Sequence, residues 1–567
     1  MSVASADGGV AGRVTRVTAR LGRNESKTPS VGVMASSSVV VDAWLSTLWR
    51  AAFVATQATD SSLSAFEFSL RVGEPMDGQA DAPSSGLLTA STFAALIRGK
   101  KLIPDTTLTG AVNPDGTACP VEDLLPRLRA AALDGVKRFG FPMGGRHQVD
   151  VSGAAVDLVV EGQRLGVVVQ ELRGLDDAYL FMTGEALPRG EPAREADMEL
   201  WPAELAAISR STAQVRTELE TERAALEESF GSMTPTFAGG WRARLERATR
   251  QATDFEKGGD PVRALVVWSA ALAAARVAAL DVRLVQALEA HETERVIALL
   301  QALEEALPVE RRALRREIEV RFPNTSRAND LYAMDLLESV NVGVALRPGE
   351  TIASLRALES NDPAFAQLAR KHGEDLVRAR EELENGRRFF TIYASLPKLK
   401  NALTPIDAER LSASYVAGGA AAYASLRARP SELLSRDETA LELTGYQILL
   451  STEPDARARL GLAARQGIYA SYLVNTYPAV GVSLDSKGVF SVSNARALAL
   501  QLEQARLRAL QACGRARREA ALIPFAARLR YLNARAAREG TDRQKTESIA
   551  DLWISTWWCE VAVVGGR

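Results

Sequence analysis

Two short stretches of this chain set a nucleophile among the small residues it needs. Asp81-Ala82-Pro83-Ser84-Ser85-Gly86 puts a serine hydroxyl just ahead of a helical run at 87–97, and Thr109-Gly110 follows beyond that run. A serine hydroxyl is a poor nucleophile at neutral pH and needs a positioned base to take its proton. Small flanking residues let the backbone come close and leave amide N–H groups at a helix start, where they can face an oxyanion. Taken alone, a serine after a proline also reads as an ordinary helix N-cap. Lys100 and Lys101 are candidate bases by type, but they read as solvent-facing. His147, in Gly144-Gly145-Arg146-His147, is the more capable base, yet nothing in the sequence places it beside Ser84.

The elements that must hold these groups alternate. Residues 1–35 read as a flexible start, over 1–30, followed by one or two strands, with Val14, Val17, Val31 and Val33 as candidate inward positions. Val41, Trp44, Leu45, Leu48, Trp49, Ala52 and Phe53 recur at helical spacing over 38–56. The stretch 65–72 alternates as a half-buried strand does. Strands at 106–112 and 118–121 flank Asn113-Pro114-Asp115-Gly116, a tight reversal. A helix is predicted over Leu124–Leu133, stopped at Asp134-Gly135 with the glycine as cap. Strands at 136–142 and 165–170 and a small helix over Leu175–Thr183 complete an α+β domain at 31–185. Pro188, Gly190 and Pro192 mark a linker at 186–198. From 199 to 567 the chain reads as all-α, in one or two subdomains. The predicted helices are 205–230, 241–256, 262–307 (as two), 328–340, 365–388, 408–428, 438–450, 456–477 and 495–538. Asp260-Pro261 is a good helix start. No fixed repeat period appears, so an irregular helical array is expected. Residues 480–492 read either as a small hairpin or as a loop.

In order and spacing, the serine loop, Thr109-Gly110, the Asn113–Gly116 reversal and the helix from Leu124 resemble the proteolytic domain of Lon-type Ser–Lys peptidases. The resemblance covers roughly residues 30–185. It includes Gly166-Val167-Val168-Val169 and the closing Asp176-Asp177-Ala178-Tyr179-Leu180-Phe181-Met182-Thr183-Gly184, a tail similar to that of a group of Lon-like proteins that lack the ATPase domain and continue into helices. The family pattern at the serine is Asp-Gly-Pro-Ser-Ala-Gly; its lysine lies in a Gly-Gly-x-x-x-Lys context. That second motif reads Glu122-Asp123-Leu124-Leu125-Pro126-Arg127 here. The resemblance implies Ser84 as nucleophile and amides around Ser84 and Ser85 near the oxyanion. Thr109 would orient the base, Asp81 would shape the serine loop, and Arg127 would stand where the base lysine belongs. A guanidinium keeps its proton in proteins and cannot be that base. It can donate hydrogen bonds to Ser84 or Thr109, and the Glu122 or Asp123 carboxylate is placed to pair with it. The resemblance therefore implies either a peptidase acting on polypeptides with reduced or altered activity, or a non-catalytic scaffold that binds peptides or protein partners. Relatives assemble into rings through this domain, which implies a homo-oligomer.

Bulk properties narrow the rest. At 567 residues the chain exceeds one ordinary core, and 47% apolar with 24% charged residues is globular. A net charge of −2 gives no reason to expect nucleic acid. Basic residues crowd the stretch from Arg506 to Lys545, as solvated helix faces or as a docking surface for an acidic partner. Cys119, Cys513 and Cys559 make no disulfide framework and show no CxxC spacing. His147, His291 and His372 lie far apart, so neither metal nor cofactor is expected. The apolar run at 264–275 is too short to span a bilayer and reads as a buried helix. A reducing, cytoplasmic setting is expected, although relatives of this kind carry export signals that this form could lack. No GxxxxGK[ST] loop occurs, so any proteolysis would be ATP-independent. Trp553, Trp557 and Trp558 cluster near the C-terminus, for core packing or partner contact.

Overall fold

The computed structural model describes residues 2–7, 11–26, 29–34, 38–73, 82–345, 350–358, 362–396, 404–427, 438–485 and 489–564. The chain divides into two compact units. One comprises residues 1–198, 406–450 and 459–567, the other 199–405 and 451–458. The boundary at 198 is where the predicted linker ends. The helical half does not stay apart, however: most of its C-terminal third belongs with the N-terminal domain.

In the first unit, β1 (Ser2–Asp7) and β2 (Ala11–Arg23) pair antiparallel. β2 pairs antiparallel with β4 (Phe66–Val72), and β4 runs parallel to β3 (Ser30–Met34). The start of the chain, predicted to be flexible, is therefore paired strand. Val17 is buried opposite Val72, and alternation along β4 buries Phe68, Leu70 and Val72, as the period-two pattern requires. The long helix α1 (Ser38–Ala58) buries Trp44, Leu48 and Ala52 in the same core. Its neighbour α2 (Gly86–Ile97) is buried on all sides from Gly86 to Ala95. Its polar residues are satisfied within the helix, where the Thr89, Ser91 and Thr92 hydroxyls donate to the carbonyls four residues back at 2.8–2.9 Å.

A short hairpin, β6 (Ala111–Val112) with β7 (Ala118–Cys119), follows β5 (Thr106–Leu108). A second sheet is parallel, with β8 (Arg138–Pro142) between β5 and β11 (Val168–Leu172). α3 (Leu124–Leu133) ends as predicted, with Gly135 at φ +86. The sequence pattern missed the hairpin of β9 (His147–Val149) and β10 (Ala155–Asp157) and helix α4 (Leu158–Leu165). Asp157 caps that helix by accepting from Val159 and Val160. α5 (Leu175–Thr183) falls on its predicted residues.

The C-terminal part of this unit corrects three expectations. The helix predicted at 495–538 is two, Ala495–Glu519 and Phe525–Ala536, because Ala521 adopts φ 53 and Pro524 opens the second. Cys513 and Cys559, expected to stay unpaired, form a disulfide across Cα atoms 5.1 Å apart, joining Ala495–Glu519 to Asp542–Val564. The basic run also finds its acidic partner within the chain. Arg508 and Arg515 pair with Glu560, Arg517 with Asp197 and Arg530 with Asp551. Trp553, Trp557 and Trp558 are core residues, each at most 5% exposed. Val482–Leu484 and Phe490–Val492 form the small hairpin.

The second unit is helical throughout its described residues. α6 (Pro202–Phe230), α7 (Pro235–Lys257), α8 (Pro261–Glu289), α9 (Thr293–Arg321), α10 (Arg327–Ala345), α11 (Glu350–Arg356) and α12 (Pro363–Ser395) succeed one another. Asp260 caps α8 through the Arg263 amide at 3.0 Å. Buried Glu453 is held by Arg315 at 2.6 and 2.8 Å and by Asn341 at 2.7 Å. Among the described residues α8 alone is long and apolar enough to cross a membrane, but most of it is buried against α6, α7 and α12.

The disulfide predicts a thiol count. With Cys119 free and Cys513 bonded to Cys559, the oxidised protein, unfolded in guanidinium, should react one thiol with Ellman's reagent. After reduction it should react three. Three before reduction would remove the bond.

Candidate functional site

The serine loop is a tight turn, Ala82–Ser85, that runs into α2. Ser84 and Ser85 are both fully enclosed. The loop is pinned from the next strand segment. Gly110 N donates to the Ser84 carbonyl at 2.7 Å, Thr109 Oγ1 donates to the same oxygen at 3.3 Å, and Leu87 N donates to the Gly110 carbonyl at 2.9 Å. Gly110 sits at φ +140, and a Cβ there would come within 2.7 Å of the Pro142 ring. Glycine is required on both counts.

Arg127 arrives on the first turns of α3. Its Nη1 donates to Ser84 Oγ at 2.9 Å and its Nε to the Glu122 carbonyl at 3.0 Å. Arg127 is 2% exposed. Chain direction brings it in: Asp123, just before the helix, is left-handed at φ 57, ψ 40, a conformation glycine adopts without cost. Ser84, Thr109 and Arg127 are thus brought together as the sequence suggests, with two differences of role. Thr109 fixes the carbonyl of Ser84 instead of orienting a base, and Arg127 takes the backbone oxygen of Glu122. Ser85 Oγ donates to the Ala82 carbonyl at 2.7 Å, closing the turn on itself. Asp81 lies outside the described residues. Lys100 forms a surface ion pair with Glu185 at 2.8 Å, and His147 is exposed on β9.

Chemically, this centre donates to the serine oxygen. Catalysis by a Ser–Lys pair needs the reverse, an acceptor for the serine proton.

Arg127's helix is anchored from its other face. Arg129 Nε donates to Glu161 Oε1 and Arg164 Nε to Glu161 Oε2, both at 2.8 Å. The hydrogen bond from Arg164, with Arg129 adding to it, holds the Glu161 carboxyl at about 2.

A buried polar cluster behind the Asn113–Gly116 reversal is invisible in the sequence. Asp115 Oδ1 accepts from Thr117 N at 2.9 Å and Thr117 Oγ1 at 2.6 Å, and burial pushes its carboxyl upward. Arg508 Nε donates to the Asp115 carbonyl at 2.7 Å. Asn475 Nδ2 donates to Asn113 Oδ1 at 3.1 Å, and the Cys119 thiol, pushed up to about 12 by burial, donates to the Asn475 carbonyl at 3.3 Å. Asn475 lies on a π-helical turn, Tyr472–Thr476. These partners are more than 350 residues apart, so no local signal could have found them. Among the described residues, no three His, Cys, Asp or Glu side chains are arranged to hold a metal ion.

No protein-family model matches this chain, and no curated protein does.

Two backbone positions make opposite predictions. Asp123→Gly should stabilise the protein by about 0.5–1 kcal/mol, since the aspartate caps nothing and occupies a glycine conformation. Gly110→Ala should destabilise it by more than about 2 kcal/mol. Chemical denaturation reads both. Glu161 makes a third. Its carboxyl is depressed in the folded state, so its contribution is present above the ordinary carboxyl value of 4.5 and lost as pH falls toward about 2. Glu161→Gln should flatten that part of the acid-unfolding curve and leave neutral pH behaviour near its own new baseline.

Proposed function

We propose that the first unit is a Lon-like peptidase domain whose hydrolytic centre is silent, and that the protein works as a scaffold. In this reading the peptidase-type domain binds peptides or protein partners and self-associates, while the helical unit recruits. The observation that carries the proposal is the 2.9 Å hydrogen bond from Arg127 Nη1 to Ser84 Oγ, with both groups buried. A guanidinium has five donors and no acceptor, so the group beside the serine can stabilise its oxygen and cannot take its proton. Loss of general-base assistance is worth about 10²–10⁴ in rate. The enclosure of Ser84 and Ser85 adds a second barrier, because a substrate carbonyl can meet the turn's amides only after the loop opens.

A rival reading, ATP-independent hydrolysis of flexible polypeptides with Ser84 as nucleophile, is supported by retention of the serine and of the Gly110 and Thr109 contacts that hold its loop. It needs a base in place of Arg127. As to compartment, the Cys513–Cys559 bond supports an oxidising setting over the expected cytoplasmic one, since disulfides persist where thiols are not kept reduced.

The test is labelling with a serine-reactive fluorophosphonate on wild type, Ser84→Ala and Arg127→Lys. The wild type and Ser84→Ala should be silent, and Arg127→Lys should gain a label on Ser84. Wild-type labelling that disappears in Ser84→Ala would overturn the silent centre and restore the enzyme reading.

A further inference from the structure

A second site lies in the first unit, unrelated to the serine loop. Helix α1, Ala408–Arg427, Ala456–Ser471 and Asp542–Val564 line a partly open cavity of ≈ 80 Å³. Its walls are aromatic. Phe53 meets Tyr415 edge-on with ring centroids 4.3 Å apart, Tyr415 meets Trp557 at 6.0 Å, and Trp49 and Trp553 add two further indoles. Glycines keep the space open on the opposite side. Gly418, Gly419 and Gly467 all line it, and a Cβ built on Gly467 would lie 3.6 Å from the Gly419 Cα.

Three buried polar atoms on residues of this wall, Ser46 Oγ, Trp553 Nε1 and Trp557 Nε1, lack hydrogen-bond partners among the described residues. Ser46 is 3% exposed and Trp553 1%, and neither Ser46 Oγ nor Trp553 Nε1 has a hydrogen-bond partner. Buried polar groups are almost always satisfied, and leaving one unmet costs about 1–3 kcal/mol. An indole N–H only donates and a serine hydroxyl can donate, so what the wall lacks is an acceptor. The carboxylate in the wall, Glu560, is already engaged by Arg508 at 3.2 Å and Arg515 at 2.9 Å.

Size limits the occupant. The volume exceeds several-fold the roughly 10–15 Å³ that one water needs, and falls well short of the roughly 300–1,000 Å³ of a drug-sized pocket. We propose that this cavity is a binding site for a small neutral aromatic molecule, one ring in size, whose carbonyl accepts from Ser46 Oγ and Trp553 Nε1. The ring packs against the indoles and Tyr415, and the acceptor meets the Ser46 and Trp553 donors. The wall carries one guanidinium, Arg50, and one carboxylate, Glu560, so its formal charges balance and a neutral acceptor fits best.

The test uses benzamide and toluene, matched rings with and without the acceptor, titrated into the full chain and followed by tryptophan emission and thermal shift. Benzamide should bind saturably and about three- to tenfold more tightly than toluene, the factor expected for one net hydrogen bond. Ser46→Ala should narrow that ratio. Gly418→Leu should abolish binding of both, and because a Cβ on Gly418 meets nothing within 4 Å, that variant should fold. Equal affinity for the two ligands, or no saturable binding of benzamide to the wild type, would overturn the proposal. So would undiminished binding to a folded Gly418→Leu.

Discussion

A buried guanidinium donating to a buried serine oxygen constrains the whole first unit. Removing a charged group from water is costly, and the cost is met only where acceptors are fixed in place. Ser84 Oγ and the Glu122 carbonyl are such acceptors, and holding them demands much of the surrounding fold. The serine turn must keep one orientation, which Gly110 and Thr109 secure through the Ser84 carbonyl. α3 must start at a fixed angle, which the left-handed Asp123 sets, and its far side is tied to α4 through Arg129 and Glu161. A serine and an arginine 43 positions apart in the chain thus depend on a strand end, a turn and two helices.

The same logic explains why the C-terminal helices belong with the N-terminal domain. Arg508 and Arg515 converge on the buried Glu560, Arg508 also satisfies the Asp115 carbonyl, and Arg515 pairs with Asp60 as well. The disulfide joins the helix that carries the arginines to the helix that carries Glu560. Each partner meets a need the other leaves, and neither half of the unit buries these groups alone.

How much of this was legible follows from range. α3, its Gly135 stop, the alternation of β4 and the Asp260 cap were readable because each depends on residues within a few positions of one another. Helix α4 and the β9–β10 hairpin were missed because both are short and leave residues such as Val149 and Val160 exposed, which blurs periodicity. The break after Glu519 was missed because the alanine-rich run continues across it, and the residue in the left-handed conformation there is Ala521, not a glycine. The disulfide pairs cysteines 46 residues apart on different helices. At the site, the motif order brought out Ser84, Thr109 and Arg127, but only geometry reveals that Thr109 serves the loop's backbone. The Asp115–Arg508 and Asn113–Asn475 contacts lie beyond any local pattern.

The central claim is that Ser84 and Arg127 are energetically coupled. A double-mutant cycle with Ser84→Ala and Arg127→Met, read by equilibrium unfolding, measures that coupling directly. A charge-assisted hydrogen bond in a dry site predicts a coupling of about 1.5–3 kcal/mol. Additivity within about 0.3 kcal/mol would mean that the two side chains do not depend on each other, and would contradict the account.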